Sequence, residues 1–222
     1  MQFDEFSPVS FLEPSSDCSY CSRLADYRKE LRECYSDWYN SPVGFFGDRK
    51  GRLLIIGLAP GKSGANRTGR PFTGDDAGKL LYRTLISLGF ATGEYLERPD
   101  DSLALCDCAI VNAVRCAPPK NKPIGSEISA CRSFLVKDID SMQNLKAILC
   151  LGRISHDSTV KALEQRISHY PFKHGGCHKI GNIAMFDSYH CSRYNTNTRV
   201  LTDSMFFDVL SGVREYLKYQ KI

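Results

Sequence analysis

Apolar positions Leu24, Tyr27, Leu31 and Trp38 return at helical spacing, which predicts a helix over residues 22–39. A Ser-, Pro- and Gly-rich stretch, SPVGFFGDRKG, interrupts the pattern. LLIIGLAP then reads as a strand buried on both faces, because its apolar residues run continuously instead of alternating with polar ones. After a long polar loop, Ala77, Leu81, Leu85 and Leu88 mark an amphipathic helix that Gly89 can end. The alternation repeats. CDCAIVNAV predicts a strand and SEISACRSFLVKDI a helix capped by Ser126. LKAILCLG predicts a strand followed by a helix over residues 154–165. NIAMFDSYH predicts another, followed by a last helix lined by Phe206, Val209, Leu210, Val213 and Leu217. Repeated strand–helix alternation argues for a single α/β domain, a three-layer α/β/α sandwich around a mostly parallel central sheet.

In such a sheet ligands bind beyond the carboxyl ends of the strands. Three unusual loops fall there: GLAPGKSGANRTGRPFTGD, NAVRCAPPKNKP and YHCSRYN. The first nearly spells a phosphate-binding loop, but GLAPGKS has three residues between its glycines where that motif needs four. It also continues through Pro71 instead of entering a helix, which argues against an NTPase.

Composition narrows the class only slightly. The 222 residues are 42% hydrophobic and 24% charged, as in ordinary globular proteins. No apolar run approaches the roughly 20 residues of a membrane span. The opening MQFDEFSPVSFLEPSSD is acidic and lacks the pattern of an export signal, so the expected location is the cytoplasm of a cell without organelles, or else a nucleus or other DNA-containing compartment. A net charge of +4 decides little by itself. However, Arg67, Arg70, Arg115, Lys120, Lys122, Arg193 and Arg199 all lie in or beside the three loops, as either solvated surface or a face for an acidic partner.

Together, GLAPG, NRTGRPFTGD, NAVRCAPP-NKP and the late H-x-S-x-x-N at His190 strongly resemble the iron–sulfur uracil-DNA glycosylases of families 4 and 5, in the correct order from Cys18 to about Thr202. Family 4 carries an acid where this chain has Leu58, so the resemblance points to family 5. Cys191 departs from the pattern, since a φ-fixing Pro is usual there. The resemblance implies hydrolysis of the N-glycosidic bond of uracil, and of other deaminated or modified bases such as hypoxanthine, in base excision repair. The implied partner is DNA, with no membrane and with the chain acting as a monomer.

A glycosylase extrudes its nucleotide and holds the base in a fitted pocket. On the resemblance, Gly57, Leu58 and Ala59 line that pocket. Phe72 is the platform under the pyrimidine, and Asn112, whose amide offers a donor beside an acceptor, reads the base edge. His190 donates to uracil O2, where charge develops as the bond breaks. Ser192, Arg193, Tyr194 and Asn195 grip backbone phosphate or wedge into the vacated space. Asp75 is the candidate for orienting water, but Asp at the start of a helix is also a common N-cap, and both roles stay open.

Ten cysteines without an export signal suggest ligation for a subset. Cys18 and Cys21 form C-x-x-C, a spacing that suits zinc and iron–sulfur clusters alike. The resemblance adds Cys116 and Cys131 to complete the ligands of a structural 4Fe–4S cluster. Cys34, Cys106, Cys108, Cys150, Cys177 and Cys191 are read as free thiols. Two rivals remain. One is a damaged-DNA-binding module that has lost hydrolysis, for which Leu58 argues. The other is a zinc hydrolase, against which the lack of an H-E-x-x-H motif argues.

Overall fold

The computed structural model describes residues 13–220, so most of the acidic opening stretch lies outside it. The first helix, α1 (Ser22–Cys34), is shorter than its periodicity predicts. The Asn40 amide donates to the carbonyls of Leu31 and Tyr35, at 3.2 and 2.6 Å, and fastens the returning chain onto the helix end. Trp38, in phase with the helix, instead stacks on Tyr35 with ring centroids 4.0 Å apart.

The remaining elements follow in chain order: β1 (Phe46–Gly47), β2 (Leu53–Gly57), α2 (Ala65–Thr68), α3 (Asp76–Ser87), β3 (Ala91–Thr92), β4 (Ala104–Leu105), β5 (Cys108–Asn112), α4 (Gly125–Ser141), β6 (Ala147–Leu151), α5 (Arg153–Ala162), β7 (Cys177–Ile180), β8 (Ile183–Ser188), α6 (Arg193–Asn197) and α7 (Asp203–Lys218). Strands β3 and β4 form a small ribbon, and the other six form one sheet in the order β1-β5-β2-β6-β8-β7. Its four central strands are parallel, and β1 and β7 are antiparallel edges.

Alternate residues of the central strands face opposite layers, as the pleat requires. Leu53, Ile55, Ile110 and Leu149 join α3 and α7 in the larger core, while Leu54, Ile56, Val111 and Ile148 join α4 and α5 on the other side. This is the expected three-layer α/β/α arrangement. Helix α1 lies to one end, where Leu24 packs with Val114, Cys131 and Phe134.

Ser126 is not the cap of α4. The helix already starts at Gly125, and its end is closed by the Glu127 carboxylate, which accepts from the Ile124 N–H at 2.8 Å. Arg23 fixes that carboxylate with two bonds of 2.7 and 2.8 Å, tying α1 to α4.

Candidate active site

The parallel register places the ends of β2 and β5 side by side, with Gly57 opposite Asn112. Gly57 is there because nothing larger fits. A Cβ on it would lie 2.3 Å from Asn112 Oδ1 and 2.7 Å from Phe72 Cζ. Strand end, amide and ring are therefore in one contact. Phe72 reaches this spot from a backbone with φ of 52°, a strained value for a bulky residue. The loop holds that value through several bonds: Tyr95 Oη donates to the Phe72 carbonyl at 3.0 Å, and Tyr82 Oη donates to that of Pro71.

Phe72 and His190 face one another with centroids 5.8 Å apart and planes 26° off parallel. His190 follows β8 and also borders a cleft of about 520 Å³ lined by Leu58, Ala59, Asp75, Ser192, Arg193 and Tyr194. Asn121 and Asp76 line it as well. Gly57, Phe72 and Asn112 sit behind this wall, with Asn112 only 3% exposed. Among the described residues neither the Asn112 amide nor the His190 ring has a hydrogen-bond partner. Asn112 is buried and His190 half-buried beside the cleft, so both side chains are available to a ligand there. Burial holds the His190 imidazole down to about 4, so the ring is neutral at physiological pH and can donate a hydrogen bond without carrying charge.

Asp75 occupies both positions considered for it. It is the N-cap of α3, with a long 3.4 Å bond from Gly78 N, and it lines the cleft. Its other oxygen lies against the first loop, where a Cβ on Gly64 would come within 2.4 Å. Burial pushes this carboxyl up, against the opposing pull of the Gly78 and Ala77 N–H groups.

The last loop divides its labour. Ser192 caps α6 with a bond of 3.4 Å from Asn195 N, and the Asn195 amide donates to the His190 carbonyl at 2.8 Å. Both residues hold the loop's own backbone. Arg193 and Tyr194 face outward, with Tyr194 74% exposed and Arg193 Nε 3.5 Å from Asp76 across the cleft. Cys191 is buried in the larger core.

Two of the basic residues near the loops are internal. Arg70 is buried against Asp101 through a bidentate pair of 2.7 and 2.8 Å, which holds that carboxyl down to about 2. Arg115 is buried against Asp138. A positive charge in a loop sequence does not reveal whether it points outward or anchors the loop from beneath. Asn121 was equally hidden in the sequence, although its position between Pro119 and Pro123 was a signal of constrained backbone, and its φ is 55°.

Cys18, Cys21, Cys116 and Cys131 line one cavity with Leu24, Val114 and Phe134. Its surroundings suit sulfur carrying negative charge. Arg28, itself buried, donates to Cys116 Sγ at 3.4 Å, and the Arg115 N–H donates to Cys131 Sγ at 3.3 Å. Burial pushes these two thiols up to about 11 and about 12, so they stay protonated unless a cationic centre takes the sulfurs.

A mostly parallel sheet with a strained aromatic, a buried amide and a neutral histidine gathered at its carboxyl edge defines an α/β protein with a ligand cleft at that edge. A model of the uracil DNA glycosylase superfamily matches residues 43–214, and the chain belongs to that superfamily. Within it the likeness is greatest to type-5 proteins. The chain is 38% identical over 207 residues to a type-5 uracil-DNA glycosylase of Thermus thermophilus, covering 90% of this chain and 94% of the relative. It is 35% identical over 205 residues to one of Pyrobaculum aerophilum, covering 90% and 89%. A type-4 uracil-DNA glycosylase from the latter organism is 32% identical over 150 residues, covering 67% and 68%.

Proposed function

We propose that this chain, as one domain and a monomer, hydrolyses the N-glycosidic bond of uracil in duplex DNA. The observation that carries the reading is the grouping of three side chains at the end of β2: His190 stacked on Phe72, with Asn112 beside the ring at Gly57. A flipped uracil stacks on Phe72 and presents O4 and N3–H to the Asn112 amide. His190, neutral, donates to O2 and stabilises the charge that the departing base acquires. Asp75, raised by burial but facing the cleft, orients the attacking water. Arg193 and Tyr194 on the rim contact phosphate and fill the space left in the stack.

Leu58 gives this pocket an aliphatic wall with no polar group for a wrong base to leave unpaired, so discrimination is weak and hypoxanthine and some modified pyrimidines are also substrates. The four cysteines hold a 4Fe–4S cluster, which when bound cross-links the N-terminal segment to the loop after β5 and to α4. Such a protein works wherever the cell keeps its DNA. Among the described residues, no helix is long and apolar enough to cross a membrane.

The test is single-turnover release of free base from duplexes carrying uracil, hypoxanthine or thymine, together with iron and sulfide analysis. Uracil and hypoxanthine should be released, with about four iron and four sulfide per chain. The second reading, a binding module, rests on Leu58 and predicts tight binding of uracil-containing duplex with no base released.

A further inference from the structure

The geometry points to a second metal site, for a divalent first-row cation such as Zn2+, formed by His156, His178 and Asp187. The three residues come from α5, β7 and β8, on the flank of the sheet beneath the His190 loop, and their ligand atoms lie within 4.8 Å of one another. His156 Nδ1 is 2.7 Å from Asp187 Oδ1, and His178 Nε2 is 3.7 Å from Asp187 Oδ2 and 3.1 Å from the Pro171 carbonyl, a contact that a metal on this nitrogen would replace. Ligands on a tetrahedral zinc at 2.0–2.1 Å stand about 3.4 Å apart, so the first carboxylate separation must open by about 0.7 Å and the second close by about 0.3 Å.

Two further features favour a cation. Asp187 Oδ2 is buried with no hydrogen-bond partner, an acceptor left without a donor. In addition, the far nitrogen of His156 donates to the Tyr170 carbonyl at 2.7 Å, the outer bond that orients a ligating imidazole and leaves Nδ1 facing the metal. With no metal, both His156 nitrogens face acceptors, so a proton must occupy the space between Nδ1 and Asp187. Zinc would displace that proton, and its binding therefore weakens as pH falls. The site is separate from the four cysteines and rests on none of the functional assignments above.

The full chain with its cluster should be dialysed against Zn2+ and the bound metal determined by elemental analysis and zinc-edge X-ray absorption. One zinc per chain is expected, in a nitrogen and oxygen shell near 2.0–2.1 Å. The affinity should drop at least tenfold in His178→Ala and in Asp187→Asn, with iron content unchanged. His178 is partly exposed, so its variant should fold even if the Asp187 variant does not. The proposal is overturned if the wild type retains no zinc, if His178→Ala retains as much, or if the shell contains sulfur at about 2.3 Å, which would place the metal among the cysteines.

Discussion

Replacing Gly57 by Ala tests whether the end of β2 sets the position of the base-binding groups. Gly57 lies in a regular strand, so an alanine can adopt its backbone, and the effect comes from the added methyl. That methyl would sit 2.3 Å from Asn112 Oδ1 and 2.7 and 2.9 Å from two carbons of Phe72, where unstrained heavy-atom contacts begin near 3.5 Å. The amide must retreat by about 1.2 Å and the ring by about 0.8 Å, and displacements of that size at a reacting centre cost about 10²-fold in rate. Overpacking a buried position also costs about 1–3 kcal/mol of stability, which a melting curve would register. The assay is single-turnover release of uracil, with binding to undamaged duplex measured in parallel. Release should fall about 10²-fold while that binding is unchanged, because phosphate contacts do not involve Gly57. Gly212→Ala is the control. Gly212 lies in α7 with open space around it, and alanine there should add about 0.5–1 kcal/mol and leave release untouched. If folded Gly57→Ala releases uracil within threefold of the wild type, the contact between strand end, amide and ring does not position the base.

His190→Ala should slow release by roughly 10²–10³, the usual loss for one donor to developing charge. The fold holds His190 neutral down to about 4, whereas the unfolded chain takes up a proton near 6.5, so its contribution to stability is present above 6.5 and lost as pH falls towards 4. Urea midpoints across that window should decline less steeply in the alanine variant. Asp75→Asn keeps an oxygen to cap α3 but removes the charge, so a large loss of release with little change in melting would identify the water-orienting role. Asp75→Ala should add about 1 kcal/mol of destabilisation from the lost cap; wild-type rates in the Asn variant would leave Asp75 as a cap alone. Arg70→Ala strands the buried Asp101 carboxylate and should cost about 3–5 kcal/mol. A loss in DNA binding without a loss in stability would contradict its internal role.

Strands β2, β5 and β6 were legible because each is buried on both faces and shows a nearly continuous apolar run, which few other structures produce. The edge strands were not. Phe46–Gly47 is too short to carry a period, and the half-polar CHKI of β7 resembles a turn. The end of α1 was misread for a physical reason: Trp38 keeps the helical phase but stacks on Tyr35 after the chain has left the helix. At the site, the loops and their common edge could be read from the strand order. What could not be read was the depth of each side chain. Arg70 and Arg193 look alike as loop arginines, yet one is buried in a bidentate pair and the other reaches over the cleft. Partners such as Asp101 and Asp138 lie 31 and 23 residues away from their arginines, and no local pattern announces them.

The site joins a buried floor to an exposed rim, and the two halves meet different energetic demands. Phe72 and Asn112 are fixed by the sheet edge, by Gly57 and by the hydroxyls of Tyr82 and Tyr95, so little ordering remains to be done when a base arrives. Extruding a nucleotide costs a few kcal/mol, and that cost falls before any contact with the floor is made. It has to be offset at the surface, by groups that reach the helix while the base is still stacked. On the proposed reading that falls to Arg193 and Tyr194, exposed on the five-residue helix α6 that Ser192 and Asn195 hold to the His190 backbone. On the same reading, a push on the rim from DNA would reach His190 through Asn195, whose amide donates to the His190 carbonyl. Flipping would then be linked to activation of the leaving base by that one hydrogen bond of 2.8 Å.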